Sequence, residues 1–321
     1  MTHLALNVAA FRRNVIQALW LTSMAVTLFD VSLSAQTSRQ GLLSLEDGRI
    51  FYEVIGSGAP IVVIHGGPGL DHNYLRPGLD ILSSRNTLVY YDQRGTGRSE
   101  ATLAPDVIHL DAFVDDVDIL RQTLDYEKVT LLAHSFGALI ALGYASKYPL
   151  NVDGLVLMNP VEPGKRFSSA TAIRQSAAQS EQDIAELERL RSSEGFQARD
   201  LATVSQAYRV SFRGMFRDRR LVDELELNLS VRTAQNGQEV ARLFGEDLDT
   251  IDWWDRLPEI EVPTLVVHGR YDIQPVAMSR ALADALPSGT LAVLESGHFP
   301  YVEDQVGLAS TLARFLAELP R

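Results

Sequence analysis

Short apolar runs alternate with amphipathic stretches along most of the chain. Several runs have the length of strands, namely "PIVVI", "NTLVYY", "VTLLA", "VDGLVLM", "PTLVV" and "TLAVL". Unbroken apolar runs of this length are typical of strands that are covered on both faces. Helical patterns follow some of them, including Leu110 to Leu124 and Val276 to Leu286. The alternation predicts an α/β fold in which helices flank a mostly parallel central sheet.

The two ends of this region depart from the alternation. Near its start, "LLSLEDGRIFYEVIG" contains two short runs around Asp47-Gly48, which is typical of a β-hairpin. We therefore expect the sheet to be mixed, with antiparallel strands at its N-terminal side. Near the C-terminus, one amphipathic pattern predicts a closing helix from Glu303 to Leu319.

A purely helical stretch interrupts the alternation between about Val161 and Leu257. Helical patterns cover residues 172–193, 203–216 and 219–244, without a strand pattern of similar quality. The first pattern places five apolar residues near one helix face: Ile173, Ala177, Ile184, Leu187 and Leu190.

The position of this stretch suggests its role. It lies between core strands, and open α/β sheets bind ligands at the carboxyl edge of their strands. We therefore expect residues 161–257, called the helical insert below, to form a lid that shapes the substrate pocket. Residues 36–160 and 258–321 would form the first and second parts of the core.

The first 35 residues differ from the rest in composition. Arg12 and Arg13 precede the apolar stretch "NVIQALWLTSMAVTLF", and small residues follow it up to Ala35. A basic start, a short apolar centre and small residues at the end are typical of a secretory signal peptide. We expect residues 1–35 to be a cleaved signal that exports the protein to the periplasm or the exterior. An uncleaved membrane anchor and an ordinary helix are the alternatives.

Composition narrows the class of partner. The chain has 321 residues, 29 basic and 41 acidic, which gives a formal net charge of −12. That balance argues against nucleic acid, whose phosphates require clustered positive charge. The absence of cysteine excludes disulfides and zinc–thiolate sites. We expect a small molecule or short peptide as substrate, with no metal and no cofactor. The oligomeric state stays open.

One serine falls where a strand pattern meets a helix pattern. In "VTLLAHSFGALIAL", Ser135 follows the apolar run and precedes a helical face, with Ala133 and Gly137 flanking it. A strand that feeds directly into a helix needs a tight turn with small neighbours, as in the G-x-S-x-G pattern of nucleophile elbows. The turn thus predicts an exposed nucleophile. Taken alone, the five residues from Ala133 to Gly137 leave an alternative, in which Ser135 is the N-cap of an ordinary helix.

The partners that such a serine needs follow later strands in the required order. Elbow-type hydrolases have the serine first, then an acid and then a histidine, each after a strand. Here Asp272 follows "PTLVVHG" and His298 follows "TLAVLES". We therefore predict Ser135 as nucleophile, His298 as general base and Asp272 as the acid that orients it.

Acyl transfer also needs N–H donors for the oxygen that becomes negatively charged. One candidate is the N–H of Phe136, directly after the serine. The other is the N–H of Gly67, in the HGGPG loop after "PIVVI". We name this loop by its residues, His65, Gly66, Gly67, Pro68 and Gly69. We expect His65 to orient the loop without joining proton transfer. A simple strand-to-helix turn is the alternative for this loop.

The sequence "DQRGTGRS", from Asp92 to Ser99, forms a second glycine-containing loop after a strand. We expect Arg94 or Arg98 to pair with Asp92. The loop lacks the spaced lysine of a P-loop, so a structural role near the pocket is favoured over a phosphate site.

With these motifs in place, residues from about Leu42 to Leu319 resemble the α/β-hydrolase superfamily. "HGGPG" and "DQRGTGRS" make the chain most similar to the proline iminopeptidase branch of serine peptidases, and "GHFPYVED" matches a common ending of the superfamily. The resemblance implies the α/β-hydrolase fold with a helical cap. It also implies the triad Ser135, Asp272 and His298, and an oxyanion hole formed by Gly67 and Phe136.

The chain departs from that branch in two respects. Its serine lies in "AHSFGA", where proline iminopeptidases have glycine-rich residues and tryptophan, and the insert lacks their tryptophan–glutamate segment for the substrate's amino group. Our first expectation is an aminopeptidase that releases N-terminal proline or a small apolar residue. A carboxylic-ester or lactone hydrolase is the alternative of the same fold. A non-catalytic small-molecule-binding protein is the alternative from another class.

Overall fold

A computed structural model describes residues 38–76 and 78–320, except for the side chain of Glu246. The export signal predicted for residues 1–35 lies outside the described residues. Within the described ranges, none of the helices is both long enough and apolar enough to cross a membrane.

The core of the described chain is one mixed sheet. Its strands are β1 (Arg39–Ser44), β2 (Gly48–Gly56), β3 (Ala59–Ile64), β4 (Asn86–Tyr91), β5 (Glu100–Ala101), β6 (Val129–His134), β7 (Val152–Met158), β8 (Thr264–Gly269) and β9 (Gly289–Leu294). They are ordered β1-β2-β4-β3-β6-β7-β8-β9, with β5 paired to β2. The β1–β2 and β2–β4 pairs are antiparallel, and the pairs from β4 to β9 are parallel. The predicted hairpin and mixed sheet are confirmed.

Helices cover both faces of this sheet, and others form the helical insert. They are α1 (Leu110–Thr123), α2 (Gly137–Lys147), α3 (Ser168–Ala178), α4 (Glu181–Arg191), α5 (Glu194–Gln197), α6 (Leu201–Arg213), α7 (Val231–Leu248), α8 (Val276–Ala285), α9 (Pro300–Glu303) and α10 (Gln305–Glu318). Successive strand residues point to opposite faces. Accordingly, Val62 packs in the cluster that contains α1, α2 and α8, and Val63 packs in the cluster that contains α10. Burial on both faces explains the unbroken apolar runs.

The first helical pattern of the insert is divided into two helices. Helix α3 ends at Ala178, and α4 begins with a capping box, in which the Ser180 hydroxyl accepts from the Asp183 N–H and the Asp183 carboxylate accepts from the Ser180 N–H. The break between α3 and α4 divides the single apolar face that the sequence predicted between two helices. Leu187 and Leu190 are buried, whereas Ala177, Ile173 and Ile184 are exposed, the last two by 70% and 42%.

Two further helical patterns are also interrupted. Residues 219–244 form a 3-10 helix, Arg219–Glu224, then an extended segment, and only then α7. The Ser230 hydroxyl caps α7 by accepting from the Thr233 N–H. The closing helix is split at Asp304, whose carboxylate caps α10 by accepting from the Gly307 N–H. In each case a polar cap starts a new helix inside a continuous apolar pattern.

Asp71, just after the HGGPG loop, joins the core to the helical insert. It is fully buried, and its carboxylate accepts from the Ser230 N–H at 2.9 Å and from the Thr233 hydroxyl at 2.6 Å. The first turn of α7 is thereby held beside the HGGPG loop. Gly69 shows how close the approach is, because a Cβ at this residue would lie 2.1 Å from the Gly237 carbonyl oxygen.

Candidate active site

Ser135 occupies a strained turn at the carboxyl end of β6. Its φ of 55° lies in the left-handed region, which is unusual for a residue other than glycine. The strand ends one residue before it and α2 begins two residues after it. Gly137 permits this turn, since a Cβ there would lie 2.6 Å from the Ile64 carbonyl oxygen. Strain of this kind typically persists at functional sites.

Asp272 and His298 meet at the ends of β8 and β9. His298 Nδ1 lies 3.0 Å from both carboxylate oxygens of Asp272, and both residues are buried. A carboxylate accepts, so Nδ1 carries the proton of this bond and Nε2 is the nitrogen left for other chemistry. Burial alone would raise the pKa of Asp272. The electrostatic attraction of the His298 ring when it is protonated and the hydrogen bonds to the carboxylate outweigh burial and lower that pKa to about 2.

Asn159, which the sequence analysis missed, also contacts this pair. It follows β7 directly, is fully buried and has a φ of 46°. Its Nδ2 donates to Asp272 Oδ2 at 2.6 Å and to the Gly297 carbonyl oxygen at 3.1 Å. Asn159 therefore fixes both the acid and the residue before His298. Its position after a buried strand, like those of Asp272 and His298, is the signal that could have identified it.

His65 sets the orientation of the HGGPG loop, in which the Gly67–Pro68 peptide is cis. Its Nδ1 donates to the Gly66 carbonyl oxygen at 2.8 Å, and its Nε2 accepts from the Gln93 N–H at 3.0 Å. Because a trans peptide is planar, fixing the Gly66 C=O also points the Gly67 N–H in the opposite direction. Complete burial lowers the pKa of His65, so the ring is held neutral.

The HGGPG loop lies directly beside Ser135. A Cβ placed on Gly66 would be 3.0 Å from the Ser135 Cβ. Within residues 38–76 and 78–320, the N–H groups of Gly67 and Phe136 have no acceptor, as an anion site would require. In the same ranges no hydrogen bond joins the Ser135 hydroxyl to His298. The His298 ring packs instead on His134, next to Ser135, at 4.8 Å between centroids.

The helical insert touches both of the loops that hold this pair. From α3, Arg174 donates to the Asp272 carbonyl oxygen at 2.5 Å through Nη2. The His298 N–H donates to the Met215 carbonyl oxygen at 2.8 Å, just after α6. Glu303 adds a bridge, accepting from the Gly297 N–H at 2.5 Å and from the Arg217 N–H at 2.8 Å. The insert and the candidate site are thus joined by hydrogen bonds that involve the backbone of the site loops.

The "DQRGTGRS" loop has different pairs from those we expected. Asp92 accepts from His72 Nδ1 at 2.7 Å and from the backbone N–H of Arg98, not from an arginine side chain. The Arg94 guanidinium pairs with Asp116 at 2.7 Å. The expected arginine–Asp92 pair is therefore wrong. Asp92 directly follows β4, and at this position its carboxylate faces the buried His72 ring.

Among the described residues, no group of at least three histidine, aspartate or glutamate side chains is arranged to hold a metal ion.

The chain is similar in sequence to proline iminopeptidases. The enzyme of Heyndrickxia coagulans is 24% identical over 288 residues, which cover 86% of this chain and 98% of the relative. That of Lactiplantibacillus plantarum is 26% identical over 285 residues, covering 84% of this chain and 97% of the relative.

Solved structures extend the likeness to other hydrolases. An esterase from Exiguobacterium antarcticum has a TM-score of 0.62 and 22% identity, and covers 86% of this chain and 98% of its own. An enol-lactonase from Burkholderia xenovorans has a TM-score of 0.61 and 19% identity, and covers 87% of this chain and 100% of its own. At these identities the likeness concerns the fold. The model of the alpha/beta hydrolase fold matches residues 59–305, and the chain therefore belongs to the alpha/beta hydrolase fold family.

Proposed function

We propose that this protein is a serine hydrolase that works through an acyl-enzyme, with Ser135 as nucleophile, His298 as general base and Asp272 as its orienting acid. The supporting observation is the His298–Asp272 pair at 3.0 Å, beside a serine held at a φ of 55°. The pair fixes the tautomer in which Nε2 of His298 accepts a proton.

The reaction would run in two halves. Ser135 Oγ attacks the carbonyl carbon and passes its proton to His298 Nε2, while the carbonyl oxygen becomes an oxyanion. The N–H groups of Gly67 and Phe136 donate to that oxygen. The intermediate then collapses, and His298 gives its proton to the departing amine or alcohol. Water, activated by the same histidine, cleaves the acyl-enzyme and releases the acid.

For the substrate, we place first a short peptide with N-terminal proline or a small apolar residue. The relatives of nearly equal length named proline iminopeptidase support this choice. In this proposal the helical insert acts as a lid that selects the substrate.

A carboxylic ester or lactone is the second candidate. It is favoured because several carboxylates in or next to the insert, which could otherwise bind a substrate amine, already have hydrogen-bond or ion-pair partners within the protein. Glu162 accepts from the Phe167 N–H at 2.8 Å, Glu239 pairs with Arg242 at 2.7 Å, and Asp247 accepts from the Leu110 N–H at 2.7 Å. An ester substrate needs no such carboxylate.

One set of assays separates these possibilities. The wild-type full chain and the Ser135→Ala variant are compared on proline p-nitroanilide, its N-acetylated form, and p-nitrophenyl acetate and butyrate. Serine-dependent cleavage of the free-amine substrate alone is the result expected for the aminopeptidase. Serine-dependent cleavage of the esters alone would replace it with an esterase. The absence of serine-dependent turnover and of fluorophosphonate labelling at Ser135 would favour a binding protein.

We also propose that residues 1–35 direct export. Expression of the full chain in a bacterium, followed by N-terminal sequencing of the periplasmic and secreted fractions, tests this. A mature N-terminus near Gln36 supports a cleaved signal, and an intact chain found only in the cytoplasm contradicts it.

A further inference from the structure

A buried chain of hydrogen bonds runs beneath Ser135 and touches three loops of the candidate site: the HGGPG loop, the turn at Ser135 and the loop of His298. The Gly66 N–H donates to the Tyr74 hydroxyl at 2.7 Å. That hydroxyl lies 2.7 Å from His134 Nδ1, and His134 Nε2 lies 2.9 Å from the His298 carbonyl oxygen. Tyr74 and His134 are each 1% exposed.

The direction of every bond in this chain is fixed at its two ends. The His298 carbonyl can only accept, so His134 Nε2 carries a proton and donates it. In the neutral ring Nδ1 is then an acceptor, so the Tyr74 hydroxyl donates to it. The same hydroxyl accepts from the Gly66 N–H, which can only donate. The chain therefore has one proton arrangement, and it leaves no polar group of these two side chains unpaired.

The environment favours this arrangement. Burial lowers the pKa of His134 to about 3, and repulsion from the protonated form of His298 adds to the effect. Burial also raises the pKa of Tyr74 well above its ordinary value. Both side chains are therefore neutral across the range in which a histidine-based hydrolase works.

On this geometry, and resting on the proposed function, we propose that Tyr74 and His134 are positioning residues that hold the three loops in register. The bond from the Gly66 N–H to the Tyr74 hydroxyl fixes the position of the loop that carries the Gly67 N–H. The bond to the His298 carbonyl sets the backbone from which the histidine ring projects. His134 itself precedes Ser135 in the chain, so one rigid unit spaces the nucleophile, the base and the oxyanion donor.

This role predicts how kcat and KM change when the hydrogen-bond chain is broken. The spacing of these groups matters when the oxyanion forms, so its loss lowers kcat more than it changes KM. Tyr74→Phe leaves the Gly66 N–H and His134 Nδ1 without partners. We expect kcat per active site to fall by about tenfold to a hundredfold, with KM within about twofold.

The structure offers a matched control for this substitution. Tyr301 packs against both residues, with its ring 6.5 Å from Tyr74 and 5.7 Å from His134 between centroids. It is also 1% exposed, but its hydroxyl has no partner among the described residues. Tyr301→Phe removes the same atom from the same neighbourhood and breaks no bond, so we expect kcat within about twofold of wild type.

His134 allows the two halves of the chain to be tested separately. His134→Asn places an amide oxygen near the position of Nδ1, which keeps an acceptor for Tyr74 and loses the donor to His298. His134→Gln places an amide N–H near the position of Nε2, which does the reverse. His134→Ala loses both. We expect each half-chain variant to retain several-fold more kcat than His134→Ala.

The assay uses p-nitrophenyl butyrate with active sites counted by fluorophosphonate titration, so that unfolded protein does not lower the measured kcat. The expected result is a kcat loss for Tyr74→Phe that Tyr301→Phe lacks, together with partial rescue by Asn or Gln. Equal activities of Tyr74→Phe and Tyr301→Phe per titrated site would overturn the proposal. So would equal losses for all three His134 variants, which indicate packing alone.

A second measurement does not depend on catalysis. In ¹⁵N-histidine-labelled wild-type protein, we expect His134 to give the neutral Nε2–H tautomer from pH 8 to about pH 5. An Nδ1–H tautomer, or titration near the ordinary pKa, would overturn the hydrogen-bond chain. If the wild type has no Ser135-dependent activity, the proposed function fails, while this spectrum still decides whether the chain exists.

Discussion

The carboxyl edge of the sheet and the helical insert use the same kinds of residue in different ways. At the edge, polar side chains are buried and held by fixed partners, as Asn159 is by Asp272 at 2.6 Å. In the insert, many polar side chains lie at the surface in ion pairs such as Lys165–Asp249, whose side chains are 59% and 82% exposed. Removing one partner of a buried pair leaves the other polar group unpaired and strongly destabilises the fold, whereas an exposed ion pair contributes little to the free energy of folding.

This contrast bears on function. The chemistry of acyl transfer requires groups held to a fraction of an ångström, which buried hydrogen bonds can provide. In the proposed function the insert selects the substrate, and an exposed helical layer can change its shape and charge at small cost in stability. We expect substitutions at the edge to affect kcat strongly and those in the insert to affect stability or KM.

The largest expected effect is at Ser135. Ser135→Ala should lower kcat/KM by about ten thousandfold or more. Ser135→Gly should be equally inactive but more stable by about 1 kcal/mol, because glycine accepts the left-handed φ of 55° without strain. Urea unfolding checks the stability and ester hydrolysis the activity. Retained activity in Ser135→Ala would mean that another residue is the nucleophile.

The next effect is expected at Asn159. Asn159→Asp replaces a donor to the Asp272 carboxylate by a second carboxylate, and we expect kcat to fall by about tenfold to a hundredfold. Asn151→Asp is a matched control at the other end of β7, where Nδ2 of Asn151 donates to Asp118 at 3.1 Å. Steady-state kinetics of both variants should separate them. Similar losses in both would show that the effect is general destabilisation.

The third effect concerns acid stability. The pKa of His134 is about 3 in the folded protein, below its ordinary value of 6.5, because of burial and of repulsion from the protonated form of His298. Between these values the unfolded chain binds a proton that the folded chain does not, so this residue destabilises the fold as pH falls. The slope is about 1.4 kcal/mol per pH unit.

His134→Gln should remove that slope. Urea unfolding of the variant and the wild type from pH 7 to pH 4 should show their difference in unfolding free energy shrink by about 3 kcal/mol. The other groups that bear on His134, namely Asp272, His65 and His298, are present in both proteins. A difference that stays constant with pH would mean that His134 does not stay neutral.

The sequence alone predicted the parts of this molecule that depend on local pattern. Unbroken apolar runs gave the parallel strands because burial on both faces demands them. Ser135, Asp272 and His298 were proposed because each follows such a run, and parallel strands bring their carboxyl ends to one edge. The functional roles of these three residues stay predictions that the assays above test.

The parts that depend on distant contacts were not predicted. Tyr74 and His134 are 60 residues apart, and Asn159 and Asp272 are 113 apart. Short local patterns carry no information about such pairs. The helix boundaries in the insert and in the closing helix were predicted wrongly for a different reason. Ser180, Ser230 and Asp304 cap new helices inside apolar patterns that are continuous in sequence. Single capping side chains decided those helix boundaries.

The smallest expected effect tests this last point within the insert. Leu187 and Ile173 belong to one predicted apolar face, yet Leu187 is 5% exposed in a cluster with Leu190, Ala207 and Val210, while Ile173 is 70% exposed. Leu187→Ala should lower the free energy of unfolding by about 2–3 kcal/mol, and Ile173→Ala by less than about 0.5 kcal/mol. Neither should change kcat per titrated site. Urea unfolding of the two variants in parallel measures the difference, and equal losses would mean that α3 and α4 share one buried face.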